Sequence, residues 1–109
     1  MPGYVPDACD IVWLQFDPQA KREQAGHRPV VVLSPASYNR RAGMIVCCPT
    51  TTRIKGYPFE VALAGATSSV VLADQVRSQD WRVRNATRKE QVSPAELAQV
   101  RAKLKALIG

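Results

Sequence analysis

Glu23-Gln24-Ala25-Gly26-His27-Arg28-Pro29-Val30-Val31-Val32-Leu33-Ser34-Pro35 joins a polar segment to a run of aliphatic residues. Val30 to Leu33, closed by Ser34-Pro35, reads as a buried strand with a turn or helix start behind it. The first half is a polar loop that carries Glu23, the chain's single histidine (His27) and Arg28. A residue before proline is pushed out of the helical region, so Arg28 leaves the loop along the strand direction. Proline has no N–H to offer a ladder, which suits Pro29 to the first position of a strand. An acid, an imidazole and a guanidinium therefore stand at the mouth of a rigid strand, where loops usually carry chemistry. A merely solvated loop is the competing reading, and the rest of the chain decides between the two.

Working outward, Ile11 to Phe16 is a first strand, apolar at nearly every position and broken by Asp17-Pro18. On the other side, Ser34-Pro35 predicts an N-cap and first helical residue for one or two turns through Tyr38, followed by a basic turn over 39–43. Met44 to Cys48 is a third strand stopped by Pro49, and Thr50 to Pro58 is a second polar loop. Phe59 to Leu63 alternates as a half-exposed antiparallel strand does. Val70 to Leu72 begins another strand that continues, bent, through Gln75 to Arg77, and Trp81 to Ala86 is a further short strand or arm. Ser93-Pro94-Ala95-Glu96 is a capping box with proline in the first turn. It opens a C-terminal helix with Leu97, Val100, Leu104, Leu107 and Ile108 on one stripe. Short strands, turn-rich connections and one terminal helix predict a mainly β fold, a small barrel or sandwich.

The 109 residues are expected to form a single domain, 1–109. No apolar run approaches the ~20 residues that cross a bilayer, and the start lacks a signal-peptide pattern. A soluble, cytoplasmic protein is the expectation. Fifteen Lys+Arg against nine Asp+Glu give a net charge of +6, and ten of the fifteen are arginine. Such a surplus is the electrostatic footprint of a nucleic-acid binder. Cys9, Cys47 and Cys48 make a poor disulfide framework and no zinc motif, so they read as apolar fillers of a reduced protein. On a strand, Cys47 and Cys48 point to opposite faces.

Nucleophile-elbow, Walker, HExxH and GxGxxG motifs are all missing, as are carboxylates at metal-binding spacing. The two polar loops offer Glu23, His27 and Arg28 on one and Thr50, Thr51, Thr52, Arg53 and Lys55 on the other. A set of guanidinium, hydroxyl, imidazole and carboxylate, with neither metal nor cofactor, suits cleavage of RNA. There the substrate's own 2′-OH is the nucleophile, a group that DNA lacks.

At this point the chain resembles the MazF/PemK family of bacterial toxins, the endoribonuclease partners of type II toxin–antitoxin modules. The resemblance rests on Asp10-Ile11-Val12-Trp13 with Phe16-Asp17-Pro18, and on Gln24 through Ser34. Further on it rests on Pro49-Thr50-Thr51-Thr52, Lys55-Gly56-Tyr57-Pro58-Phe59-Glu60-Val61 and Leu72-Ala73-Asp74-Gln75-Val76. It runs in order through the whole chain, with two departures. Cys9 stands where a glycine usually precedes the aspartate, and the loop between Leu63 and Val70 is short. Neither belongs to the candidate site, although the loop is placed to shape the RNA groove.

The resemblance implies an SH3-like β-barrel with short helices and a C-terminal helix, a homodimer, and cleavage of single-stranded RNA at a short motif. It assigns catalysis to Arg28 and Thr51. Arg28 would stabilise the phosphorane more than it would donate a proton, because guanidinium, with a pKa above ~12, is a poor acid. Thr51 would hold a non-bridging oxygen or the 2′-OH. Glu23 would accept the 2′-OH proton or recognise a base, and His27 would serve a proton step or orient the loop. Thr50, Thr52, Arg53, Lys55, Gln75, Arg77 and Ser78 are the expected RNA contacts. Arg82, Arg84, Arg88 and Lys89 are left for a partner or for solubility, and Trp13 and Trp81 for core or interface. The implied partner is an acidic antitoxin. Two other readings are a non-catalytic gyrase poison related to CcdB and a non-catalytic RNA-binding barrel. The gyrase reading lacks a use for the Arg28 motif together with the threonine loop.

Overall fold

A computed structural model of the chain describes residues 3–16, 26–65 and 68–109. Among these, the strands are β1 (Asp10–Gln15), β2 (His27–Val32), β3 (Met44–Thr51), β4 (Glu60–Leu63), β5 (Ser69–Leu72), β6 (Arg77–Asp80) and β7 (Thr87–Gln91). The helices are α1 (Ala36–Ala42) and α2 (Pro94–Ile108). All pairings are antiparallel, in the order β4-β5-β3-β2-β1-β7, with β6 pairing the first half of β3. The fold is mainly β, a curled antiparallel sheet forming a half-barrel with a C-terminal helix, as the SH3-like expectation requires.

Strand alternation divides the core in two. Ile11, Val31, Leu33 and Cys48 face one cluster, with Val61, Val71, Ala73, Val92 and the α2 residues Leu97 and Val100. Val12, Leu14, Val30, Val32 and Cys47 face the other, with Ile45 and Trp81. The adjacent cysteines thus serve opposite faces. Each fully buried valine or leucine contributes about 1.5–3 kcal/mol.

Several sequence expectations are corrected. β2 begins at His27, three residues earlier than expected, because β1 supplies partners there: Gln15 lies opposite His27 and Leu14 opposite Arg28. The chain does not stop at Pro49, since β3 runs on to Thr51. Ser34 caps nothing; Pro35 is the N-cap, without a side-chain bond, and α1 extends to Ala42, ending at Gly43 with φ 69°. The buried Ser34 hydroxyl instead donates to Asn39 Oδ1 (2.6 Å) and accepts from the Val46 amide (2.9 Å). Asn39 Nδ2 donates to the carbonyls of Pro6 (2.8 Å) and Ser34 (2.9 Å), and Trp81 Nε1 donates to the Asn39 carbonyl (2.8 Å). This fully satisfied hub joins the N-terminal lead, α1, β3 and the turn at Trp81.

β5 and β6 are two strands rather than one bent strand. Residues 81–85 form a turn, and the strand of that region is β7, whose sequence TRKEQ has no apolar alternation. On α2 the capping box forms as expected, with Leu97 and Val100 buried, but Leu107 and Ile108 are exposed.

Cys9 explains its own departure from the family pattern. It adopts φ 79°, the left-handed conformation that glycine takes at no steric cost. It is held there because its N–H donates to the Val32 carbonyl (3.1 Å) and its carbonyl accepts from the Val92 amide (2.9 Å). A non-glycine residue in this region carries ~1–3 kcal/mol of strain, against ~0.4–1 kcal/mol that glycine forfeits through the unfolded chain. Cys9→Gly is therefore expected to match or exceed the wild type in urea denaturation. Cys9→Val, β-branched, is expected to fall below it by about 1–3 kcal/mol. Equal midpoints for the two variants would show that backbone strain is not expressed at this position.

Candidate active site

The site is built where β3 changes partners. Pro49 lies opposite Val30 of β2, and from Thr50 onward β3 pairs with β5, Thr50 opposite Val71. On that outer side the β6 pairing ends at Cys47 and the β5 pairing starts at Thr50, so Pro49 needs no N–H there. The β2–β3 ladder ends at Val30, and beyond it the Thr50 hydroxyl reaches the Pro29 carbonyl (3.4 Å) in place of a backbone donor. One residue on, Thr51 Oγ1 accepts from the Arg53 amide (3.1 Å). A hydroxyl has one proton to give. Thr50 gives its proton to Pro29, while the Thr51 hydroxyl is oriented as an acceptor and keeps its proton for another group.

Three clefts share walls around this point. The largest, about 530 Å³, is lined by His27, Arg28, Pro29, Thr50, Thr51 and Thr52 on one side. Its other walls are Ile11, Trp13, the Leu63–Gly65 and Ser69 rim, Lys89 to Val92 and Glu96. A second cleft of about 230 Å³ lies between Phe16, Arg28, Pro29, Thr50, Gln75, Arg77 and Gln79, with Val30, Cys47 and Pro49 behind. A third, about 200 Å³, is bounded by Thr51, Arg53, Lys55, Tyr57, Gln75, Phe59, Glu60, Leu72 and Asp74. Arg28, Pro29 and Thr50 belong to the first two, Thr51 to the first and third, and Gln75 to the second and third. The clefts thus form one branched groove with Arg28 and Thr51 at its junction.

The two expected polar loops do meet, though as strand ends. His27, Arg28, Thr50, Thr51 and Thr52 come together in the first cleft, and Arg53, Lys55, Gln75 and Arg77 in the adjoining two. Ser78 is not brought in; it lies exposed on β6 opposite Val46, outside these clefts. Glu23 lies outside the described residues. Among the described residues, no group of three or more His, Cys, Asp or Glu is gathered as a metal site. Burial pushes the Cys47 thiol up to about 12 and the Cys48 thiol up to about 11, which keeps both protonated and inert at neutral pH.

Sequence reasoning missed one wall entirely. Lys89, Glu90 and Gln91 of β7 and Trp13 of β1 line the largest cleft. The Lys89 ammonium stands 5.7 Å from the Trp13 ring centroid and is paired with the Glu90 carboxylate. Gln91 Nε2 donates to Asp10 Oδ1 (2.9 Å). No local signal marked it, because only the pairing of β7 with β1 brings a lysine over the Trp13 ring. The short loop is also part of the site, contrary to expectation, since Ala64 and Gly65 form its rim. A Cβ on Gly65 would stand 3.0 Å from Glu90 Oε1, so glycine lets the rim close against that carboxylate. The other arginines of this region are structural. Arg82 stacks on Trp81 and donates to the Arg40 carbonyl, Arg84 stacks on Phe16, and Arg88 approaches Asp10 at 3.9 Å.

Comparison with known proteins places these features in a lineage. Residues 7–108 match the family described as PemK-like, MazF-like toxin of type II toxin-antitoxin system. The chain is 56% identical over 107 residues to the endoribonuclease toxin MazF of Escherichia coli strain K12, covering 97% of this chain and 96% of that one. It is 35% identical to the Escherichia coli endoribonuclease PemK over 106 residues, 89% of this chain and 78% of PemK. Among solved structures, a MazE-MazF crystal structure from Deinococcus radiodurans superposes with a TM-score of 0.88 at 49% identity, covering 98% of each chain.

The rim of the largest cleft is tied to α2 by Glu96. Its carboxylate accepts from the amides of Ser93 (2.8 Å) and Ala64 (2.7 Å). These bonds, the Ser93 amide first, hold its pKa below the ordinary 4.5 against an opposing effect of burial. A depressed carboxylate contributes stability that is fully present above the unfolded value and is lost as pH falls through the folded one. Glu96→Ala is expected to lose about 0.5–2 kcal/mol at neutral pH, the usual worth of a cap. The gap from wild type should close as pH falls below about 4. A gap that persists unchanged at acid pH in denaturant melts would assign the loss to packing instead of charge.

Proposed function

The chain belongs to the PemK-like, MazF-like toxin family of type II toxin–antitoxin systems, and we propose that it is an endoribonuclease toxin cutting single-stranded RNA at a short motif. The observation that carries the reading is the junction of the groove. An arginine and a threonine with an uncommitted hydroxyl proton share one cleft there, and basic and amide side chains run away from it.

In this reading the 2′-OH of the nucleotide at the junction attacks its own 3′-phosphorus. A P–O2′ bond forms and the P–O5′ bond breaks, giving a 2′,3′-cyclic phosphate and a 5′-OH. The 2′-OH proton goes to a base and the departing 5′-oxygen takes a proton from an acid. Glu23 or His27 is the base, and His27 suits either step. Arg28 offers a planar fork to the two non-bridging oxygens as charge builds on them. Thr51 adds a hydrogen bond from a hydroxyl already fixed by the Arg53 amide. Thr50, committed to Pro29, positions β3. Arg53, Lys55, Gln75 and Arg77 hold the flanking strand through phosphates and base edges. The chemistry calls on no metal and no cofactor.

The protein acts as a cytoplasmic homodimer restrained by a cognate antitoxin. The charge of +6 per chain, doubled in a dimer, complements an acidic, disordered tail that folds as it binds. Such a tail lies across the groove and excludes RNA. An acidic antitoxin peptide and a non-cleavable RNA analogue are therefore expected to compete. Simultaneous binding with unchanged affinities would place inhibition elsewhere.

The chemistry is tested with purified protein, a long RNA and EDTA. Cleavage should persist and leave cyclic phosphate and 5′-OH ends. Arg28→Ala and Thr51→Ala should each slow it by roughly 10²-fold or more with unchanged thermal melting. Arg28→Lys should not restore it, since an ammonium cannot reproduce the fork, and Thr50→Val should lose less rate than Thr51→Val. Ends bearing 5′-phosphate, or near-normal cleavage by Arg28→Lys, would refute the mechanism.

A further inference from the structure

The wall that Trp13 and β7 give the largest cleft has no task in the chemistry above. Trp13 is half-buried on the face of β1 that carries the core residue Ile11, with Pro29 as its neighbour on β2 and Thr87 on β7. Elsewhere that face is sealed by Leu97 and Val100 of α2. At Trp13 it opens into the cleft that also holds Arg28 and Thr51. The cover it has is Lys89, whose ammonium stands over the ring and is paired with Glu90.

Proteins that hold single-stranded RNA combine aromatic faces, on which unpaired bases stack, with cations that follow the backbone. We propose that Trp13 is a stacking platform for one unpaired base of the RNA, in the nucleotide next to the scissile phosphate, with Lys89 swinging off the ring to that nucleotide's phosphate. This deepens the ribonuclease reading and rests on it. An exposed lysine on an edge strand moves at little cost, and a phosphate offers it a stronger partner than a ring.

The same movement releases Glu90. Gln91 is already oriented, because its amide nitrogen is held by Asp10 and its amide oxygen remains as an acceptor. Two acceptors then flank the base, which favours adenine, cytosine or guanine, with an exocyclic amino group, over uracil. Glu96 takes no part in this, since its carboxylate oxygens are engaged by the Ser93 and Ala64 amides. Continuity with Arg28 and Thr51 is what favours a nucleotide over a protein side chain as the occupant.

The test first maps the cut in a long RNA, then uses short oligoribonucleotides carrying an abasic residue at each flanking position in turn. With the wild type, one position next to the cut should lose roughly 10-fold or more in kcat/KM on removal of its base. Uracil there should be the poorest base. Trp13→Leu should lose a similar factor on the intact oligonucleotide and become indifferent to the abasic substitution, and Trp13→Phe should recover most of the loss. Lys89→Gln, on the exposed edge, should flatten the salt dependence of KM by about 0.7 in logarithmic slope, and it serves if Trp13→Leu proves unfolded by circular dichroism. The proposal is overturned if folded Trp13→Leu cuts at the wild-type rate or keeps every abasic penalty. It is also overturned if Trp13→Leu weakens an acidic antitoxin peptide alone. A wild type that cuts no RNA overturns the ribonuclease reading itself, and that result is visible before any variant is compared.

Discussion

β3 cannot remain paired with β2 beyond Pro49, and that constraint shapes both the sheet and its groove. Proline in a central strand normally breaks a ladder. Here Pro49 falls between the β6 and β5 pairings on one edge of β3, and Pro29 lies beyond the end of the β2–β3 ladder, so neither leaves a partner unmet on that side. On its outer edge β3 passes from β6 to β5 while its pairing with β2 ends, and the half-barrel curls at that point. The gap between the departing strands is where the clefts open, and Thr50 bridges it with a side chain where a backbone bond would have stood. Continued pairing would have filled the cleft that Arg28 and Thr51 both line.

Two carboxylates hold the walls of that gap in position. Asp10 is buried at 3% exposure, a costly place for a charge without partners. It accepts from the Tyr4 hydroxyl, the Asp7 amide (3.0 Å) and Gln91 Nε2 (2.9 Å), with Arg88 nearby. Burial, with the Asp10 carboxylate adding to it, pushes the Tyr4 hydroxyl far above its ordinary range, so Tyr4 stays a donor. Asp10 thereby fastens the N-terminal lead to β7, and Glu96 fastens the opposite rim to α2. The cleft thus lies between two anchored edges, as a site that orients a flexible strand requires.

What the sequence made legible follows from which elements carry their own signal. α2 announced itself through the capping box, and β1, β2 and the start of β3 through unbroken apolar runs, because these elements bury both or most of their faces. β6 and β7, RSQD and TRKEQ, are polar edge strands whose existence depends on β3 and β1 offering open edges. No local pattern encodes that. Ser34 looked like a cap and became part of the buried Asn39 hub, a tertiary demand that outweighed local chemistry. In the site, Arg28 and Thr51 were legible as motif residues. Trp13 and Lys89 were not, being 76 positions apart and joined only by strand pairing.

The basic surplus is informative once it is located. Arg82 and Arg84 lie against aromatic rings and carbonyls, and Arg88 leans on Asp10, so these charges hold the turn after β6 and the edge of the sheet. Arg101 bonds the Leu33 carbonyl, and Lys103 the Pro58 carbonyl. Arg28, Arg53, Lys55, Arg77 and Lys89 instead line the branched groove. A net charge of +6 could have arisen from cations scattered evenly over the surface. The gathering of these five along the groove is what turns a compositional hint into a path for a polyanion, because only charges facing one continuous channel can neutralise successive phosphates of one strand.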